Sequence, residues 1–319
     1  MNIFYLIIQG IVQGLTEFLP ISSSGHLVIV QHIAGNNNNN FFINIMLHMG
    51  ALLALTIAYR KLIIRLFHAV FTIIGDMIMG RFHWTEMKED ENLLVMLLIG
   101  FLPLLLLFVP LPFSGGLNAI NIAEILTNNN AYFIITGISM VVTGVMLVLG
   151  YLSNDMTEKL YKKRGIVRKK GAGRRFLNVI DVLSMGIAQM FSAIFPGLSR
   201  LASVFVIGEM RGINKQKALD YAFLTAIPTI TVAVVMEGRR AFLSENIQSE
   251  IMLPLILGIV ISAVTGLFAI SFFKWILKKK NIVLFIVYGL VVGIVITVIS
   301  VTELKSGINL FTGKYLVFL

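Results

Sequence analysis

Six stretches of this chain, at 41–67, 93–113, 131–152, 218–237, 252–277 and 282–303, run for about twenty residues or more with few charges. About 20 apolar helical residues are needed to cross the hydrocarbon core of a bilayer, so each stretch predicts a transmembrane helix. Composition agrees: of 319 residues 57% are hydrophobic and 13% charged, well below the quarter charged of a soluble domain. The fold expected is therefore an all-α polytopic membrane protein. The net charge of +10 does not argue for nucleic acid, because the basic residues cluster in the loops between spans, as the cytoplasmic bias of Lys and Arg requires. With no cysteine, disulfides, thiolate metal sites and thiol catalysis are excluded. The first residues show neither a basic n-region nor a small-residue cleavage site, so no removable signal peptide is expected.

Two further apolar segments, 2–33 and 178–209, are broken in the middle, at Phe18-Leu19-Pro20 and at Phe195-Pro196-Gly197. Proline removes a backbone donor and clashes with the preceding turn, so each segment should form two half-helices around a bend. Loop charge orients the chain. Residues 153–177 carry nine Lys/Arg, including Lys162, Lys163, Arg164, Arg168, Lys169 and Lys170, whereas 114–130 carry none. Placing the basic loop in the cytoplasm puts 114–130, 238–251 and the C-terminal tail outside. The two broken segments then enter from opposite faces, as an inverted repeat would have them.

The sequence carries that repeat. GIVQGLTEFLPISS (10–23) aligns without a gap on GIAQMFSAIFPGLS (186–199), an offset of 176 that superposes Gln13 on Gln189, Pro20 on Pro196 and Ser23 on Ser199. The expected architecture is six transmembrane helices plus two re-entrant helix hairpins in one integral-membrane domain, 1–319, with repeat 1 at 1–152, the basic loop at 153–177 and repeat 2 at 178–303. The Asn runs at 36–40 and 128–130 are read as polar connectors.

The first bend holds the densest polar cluster of the chain, QGLTEFLPISSSGHL at 13–27. Ionisable groups at that depth are costly and point to function. Gln13 and Glu17 are four apart and share a helix face, and Ser23 lies three residues before His26. The second bend adds Ser199 and Arg200. If the bends meet, one pocket receives a carboxylate, an imidazole, hydroxyls and a guanidinium, which suits a phosphate. Arginine offers a planar fork to phosphate oxygens, and the half-helix N-termini after Pro20 and Pro196 offer free N–H groups. A serine within reach of a histidine can act as a nucleophile, and Glu17 can hold a divalent cation or act as a base. Plainer roles compete. Ser22 and Ser24 at a helix start read as caps, and a lone intramembrane arginine can satisfy backbone carbonyls. His32, His48, His68 and His83 receive no role.

At these residues the chain resembles the undecaprenyl-pyrophosphate phosphatases, integral-membrane lipid phosphatases that also confer bacitracin resistance. Their first motif is matched by QGLTEFLPISSSGH, and their second, Pro-Gly-x-Ser-Arg-Ser-Gly, by PGLSRLA, so that Leu201 and Ala202 replace Ser-Gly. Gln13 stands where a carboxylate is more usual. The resemblance implies that Glu17 and Gln13 line a Mg²⁺ or Ca²⁺ and pyrophosphate site, that Ser23 and His26 perform or assist attack on phosphorus, and that Arg200 grips the pyrophosphate. Ser22, Ser24, Gly25, Gly197, Ser199 and Gln189 complete the expected substrate site. The implied reaction removes the terminal phosphate of a polyprenyl pyrophosphate on the outer side of the cytoplasmic membrane. The expected partners are that lipid and the membrane, with no nucleic acid and a homodimer as an open option. The other reading is a polyprenyl-phosphate transporter or flippase, since broken helices in an inverted repeat are also transporter architecture. Ser23, His26 and Glu17 favour the enzyme, and PGLSRLA favours the transporter.

Overall fold

The computed structural model describes residues 3–35, 41–112, 115–163, 173–243, 249–278 and 281–316. Among them the secondary structure is helical, with no strand beyond isolated bridges. The helices are α1 (Ile3–Glu17), α2 (Ser23–Ile33), α3 (Phe41–Ile78), α4 (Glu89–Leu105), α5 (Ala119–Asn128), α6 (Phe133–Lys163), α7 (Val179–Ile194), α8 (Arg200–Met210), α9 (Lys215–Leu224), α10 (Ala226–Leu243), α11 (Ser249–Lys278) and α12 (Val283–Ser306). Five described segments are long and apolar enough to cross a membrane: Glu89–Phe108, Phe133–Ser153, Lys215–Arg240, Met252–Leu277 and Val283–Ser306. The remaining expected span, 41–67, lies within α3, whose 38 residues extend about 57 Å at 1.5 Å per residue. The protein is an all-α, multi-pass membrane protein. The polar connector expected at 36–40 and part of the basic loop, including Arg164, Arg168, Lys169 and Lys170, lie outside the described residues.

Both expected breaks are present. α1 stops at Glu17, and the chain turns through Phe18–Ile21 into α2. Ser22 caps α2 by accepting from the Gly25 N–H at 3.2 Å. It does so at φ +71°, the only non-glycine positive φ among the described residues, a conformation disfavoured for a residue with a Cβ. The second break is a tight turn in which the Leu198 N–H reaches the Phe195 carbonyl at 3.1 Å. Pro196 and Gly197 occupy its two central positions, and Gly197 has φ +96°. Proline followed by a positive-φ glycine is what a type II turn requires. Ser199 then caps α8 through the Ala202 N–H at 3.2 Å.

The packing repeats across the halves of the chain. α1 lies on α11, the second long helix after the second hairpin, and α7 lies on α4, the second long helix after the first. α6 and α12, the last long helices of the halves, pack on each other, and α3 packs on α10. The shared core is built from rings and aliphatics of both halves, including Phe18, Leu55, Leu147, Met185, Phe205, Phe223 and Phe273.

One expectation needs correcting and one gains detail. Residues 114–130 contain a helix, α5, capped by reciprocal hydrogen bonds between Asn118 and Asn121 at 3.0 Å. Its alanines 119 and 123 and Leu126 are buried, and it packs on α7, so the segment is part of the folded body rather than a simple loop. The span read at 218–237 is present within Lys215–Arg240 and is divided into α9 and α10. Pro228 has no N–H to offer the carbonyl four residues back, at Leu224, which is where α9 ends. Just beyond, the Thr225 carbonyl accepts from the Thr229 hydroxyl at 3.0 Å and from Gln189 Nε2 at 3.5 Å.

Candidate active site

The two hairpin tips meet. A Cβ on Gly25 would stand 2.9 Å from the Gly197 Cα, and one on Gly197 would stand 2.3 Å from the Thr136 carbonyl oxygen. Only glycines allow backbones this close, and Gly197 also needs its positive φ. Across the contact the Gly197 N–H donates to Ser24 Oγ at 3.4 Å. Thr143 of α6 steadies the second tip, donating to the Gly197 carbonyl at 3.0 Å and accepting from the Ser199 N–H at 2.9 Å.

That contact sets the charged groups together. The Glu17 side chain is 3% exposed and pairs through Oε1 with the guanidinium of Arg200. Its Oε2 accepts from Ser23 Oγ at 2.5 Å and from Gln13 Nε2 at 2.9 Å, and the Nε2 of His48 stands 3.4 Å away. Arg200 also donates to Thr229 Oγ1 of α10 at 2.9 Å. The carboxylate comes from the first repeat and the guanidinium from the second. Under the 176-residue offset Glu17 matches Ala193 and Arg200 matches Ser24, so the repeat supplies a symmetric frame and asymmetric chemistry.

Most of these groups line one wall of a cavity of about 290 Å³ whose opposite side is largely apolar. Glu17, Ser22, Ser23, Ser24, Gln189, Ser199 and Arg200 face it, with Asn44, His48 and Thr229 beside them. Its apolar side is made by α4, α5 and α10, with Phe101, Phe108, Ala123, Ala233 and Met236 among the contributors. Arg240 of α10 and Glu124 of α5, 3.4 Å apart, join the two helices on that side. A pocket with a charged wall and an apolar wall suits an amphiphile with an anionic head.

Four expected site residues do not face the cavity: Gln13, Gly25, His26 and Gly197. The glycines act at the tip contact. Gln13 lies behind Glu17, fully buried. The expected pairing of Ser23 with His26 is not made. His26 Nδ1 donates to the Ser22 carbonyl at 2.6 Å and Nε2 meets the Tyr288 hydroxyl of α12 at 2.7 Å, with the rings stacked at 5.7 Å. The bond back to the preceding turn swings the ring toward α12 and away from Ser23. The imidazole near the carboxylate is instead that of His48, which the sequence left without a role. A lone histidine in the apolar run of α3 carries no local signal, and only tertiary packing brings it to Glu17. Asn44, Thr143 and Thr229 were missed for the same reason. Leu201, at one site of departure from the second motif, lines the cavity, and Ala202 is buried without exposure.

For a hard cation the donors suffice only in part. Gln13 Oε1 is buried with no hydrogen-bond partner, one turn from Glu17, and no cluster of three or more His, Asp or Glu gathers among the described residues. Mg²⁺ is commonly held by one or two carboxylates together with waters and substrate phosphates, so an oxygen-rich pyrophosphate would complete the set.

Comparison with known proteins covers nearly the whole chain. The family model described as bacitracin resistance protein BacA matches residues 6–295. An undecaprenyl-diphosphatase of Halothermothrix orenii is 30% identical over 94% of this chain and 99% of its own. Proteins of the same name from Alkaliphilus metalliredigens and Korarchaeum cryptofilum are 31% and 32% identical, over 94% and 93% of this chain and 99% and 98% of theirs.

Proposed function

The chain belongs to the bacitracin resistance protein BacA family, and on that footing we propose that it removes the terminal phosphate of undecaprenyl pyrophosphate, releasing inorganic phosphate and the lipid phosphate for reuse as a carrier. One observation carries the reading: Ser23 hydrogen-bonds at 2.5 Å to a carboxylate that is itself paired with Arg200 from the other repeat. A transporter of the same lipid needs an anion grip but no hydroxyl held by a base. The departure at Leu201 and Ala202 leaves the grip and the Ser199 cap in place, so it does not favour the transporter.

The pyrophosphate enters the cavity beside the joined hairpin tips, and Arg200 turns from Glu17 to its oxygens, for which a guanidinium fork is well matched. Glu17 Oε2 takes the Ser23 proton as Ser23 Oγ bonds to the terminal phosphorus. The bond from that phosphorus to the bridging oxygen breaks, and its electron pair stays on the lipid phosphate. Water then attacks the phosphoserine, its two protons leave with the released inorganic phosphate, and the proton held by Glu17 returns to Ser23 Oγ as that oxygen leaves. The N–H groups at the starts of α2 and α8 have no partners within their helices and favour anionic oxygens. Glu17 and Gln13 would hold Mg²⁺ or Ca²⁺, which when bound neutralises charge on the pyrophosphate.

The apolar wall suits the first part of the isoprenoid. The rest of the tail lies in the bilayer. Such a site reads the head and the start of the chain, not the chain's length. The Lys/Arg asymmetry supports the cytoplasmic membrane with the site open to the outside. Phosphate release from a polyprenyl pyrophosphate by the purified protein with Mg²⁺ tests the proposal. Saturable lipid binding without release would refute it in favour of the transporter.

A further inference from the structure

We propose that His48 is a third protein ligand, with Glu17 and Gln13, of the divalent cation at this site. The inference rests on the cation reading above and gives that site a nitrogen donor.

The argument begins with the tautomer. His48 Nδ1 is 2.6 Å from the Asn44 carbonyl oxygen, which can only accept, so Nδ1 carries the hydrogen. In the neutral ring Nε2 therefore keeps its lone pair. That nitrogen stands 3.4 Å from Glu17 Oε2, and both residues line the cavity. Two acceptors face each other, an arrangement that repels unless a cation joins them or a proton sits on the ring.

The spacing fits a shared ion. Two ligands each about 2.1 Å from one metal, at angles of about 90–109°, lie about 3.0–3.4 Å apart. The remaining ring nitrogen is held as metal-bound histidines are held, with the opposite N–H given to a backbone carbonyl that fixes the tautomer and the ring's direction. A second observation is independent of His48. Gln13 is fully buried, and its Oε1 has no partner while its Nε2 points at Glu17. Oxygen and nitrogen of an amide exchange places by a half-turn. With a cation at Glu17 Oε2, that half-turn presents Oε1 to the ion and gives the buried oxygen a partner.

An imidazole ligand changes which metals the site favours. All-oxygen sites suit Mg²⁺ and Ca²⁺, whereas imidazole shifts preference toward transition metals. Mn²⁺, which accepts both donor types, should bind more tightly than Ca²⁺.

The test uses the full-length protein in detergent with Mn²⁺, alone and with inorganic pyrophosphate, read by pulsed electron paramagnetic resonance. Wild type should show one histidine nitrogen coupled to the manganese, with the coupling altered on ¹⁵N-histidine labelling. His48→Gln should lose that coupling and bind Mn²⁺ roughly ten- to a hundredfold more weakly, while His26→Gln should keep it. Mn²⁺ bound to wild type without a histidine coupling overturns the His48 assignment and leaves the cation reading standing. A coupling lost in His26→Gln and kept in His48→Gln overturns it as well. If no saturable Mn²⁺ binding occurs with or without pyrophosphate, the cation reading falls and the assignment with it. The wild-type spectra decide the matter even if His48→Gln does not fold.

Discussion

Replacing Glu17 by Gln removes the charge that joins the hairpins while keeping the side chain's shape. In the structure this carboxylate receives hydrogen bonds from Ser23 and Gln13 and the ion pair from Arg200. Breaking a buried pair by neutralising one partner costs about 3–5 kcal/mol. Arg200 is 23% exposed and keeps Thr229, so the lower end of that range applies. At about 2.1 cal/mol/K of unfolding entropy per residue, 319 residues convert 3 kcal/mol into a fall in Tm of roughly 4–5 °C. That leaves the variant folded at assay temperature. Losing the base for Ser23 should lower turnover far more, by about 10²–10⁴. The assay measures Tm and phosphate release on the same purified sample, with release normalised to folded protein. A variant destabilised by several degrees whose activity per folded molecule stays within a factor of two would refute the catalytic role and leave Glu17 as a tether between repeats.

Arg200→Lys should insert and fold but lose at least roughly tenfold in kcat/KM, because a point charge does not replace a planar fork; near-normal turnover would make Arg200 a structural partner of Glu17 and Thr229. Gly197→Ala should lower both Tm and yield, since the new Cβ meets the Thr136 carbonyl at 2.3 Å in a left-handed conformation costing about 1–2 kcal/mol; an unchanged Tm would contradict the tip contact. Chelation with EDTA should stop phosphate release and Mg²⁺ should restore it; release that continues in EDTA would remove the cation from the reaction. In the cysteine-free chain, Leu117→Cys should react with an impermeant thiol reagent added outside intact cells and Gly165→Cys should not; labelling of position 165 from outside would reverse the orientation.

The sequence alone determined the membrane class, the two broken helices and the repeat. Each rests on a property of one local stretch: apolar length, a proline that removes a donor, or an offset that places Gln, Pro and Ser together. It also determined which hairpin residues carry charge, since Glu17 and Arg200 are unusual in any apolar segment. Tertiary structure alone decided how they are used. Whether Ser23 faces a histidine or a carboxylate depends on where α12 places Tyr288 and on where α3 brings His48, contacts 262 residues apart in one case and between separate helices in the other. The helix α5 escaped notice because 114–130 reads as an outer loop without Lys or Arg, and its half-apolar face matters only once α7 covers it. Local chemistry fixes what a segment can be. Which of two histidines meets the carboxylate is set by packing between distant helices, and that information is spread over side chains with no signature of their own.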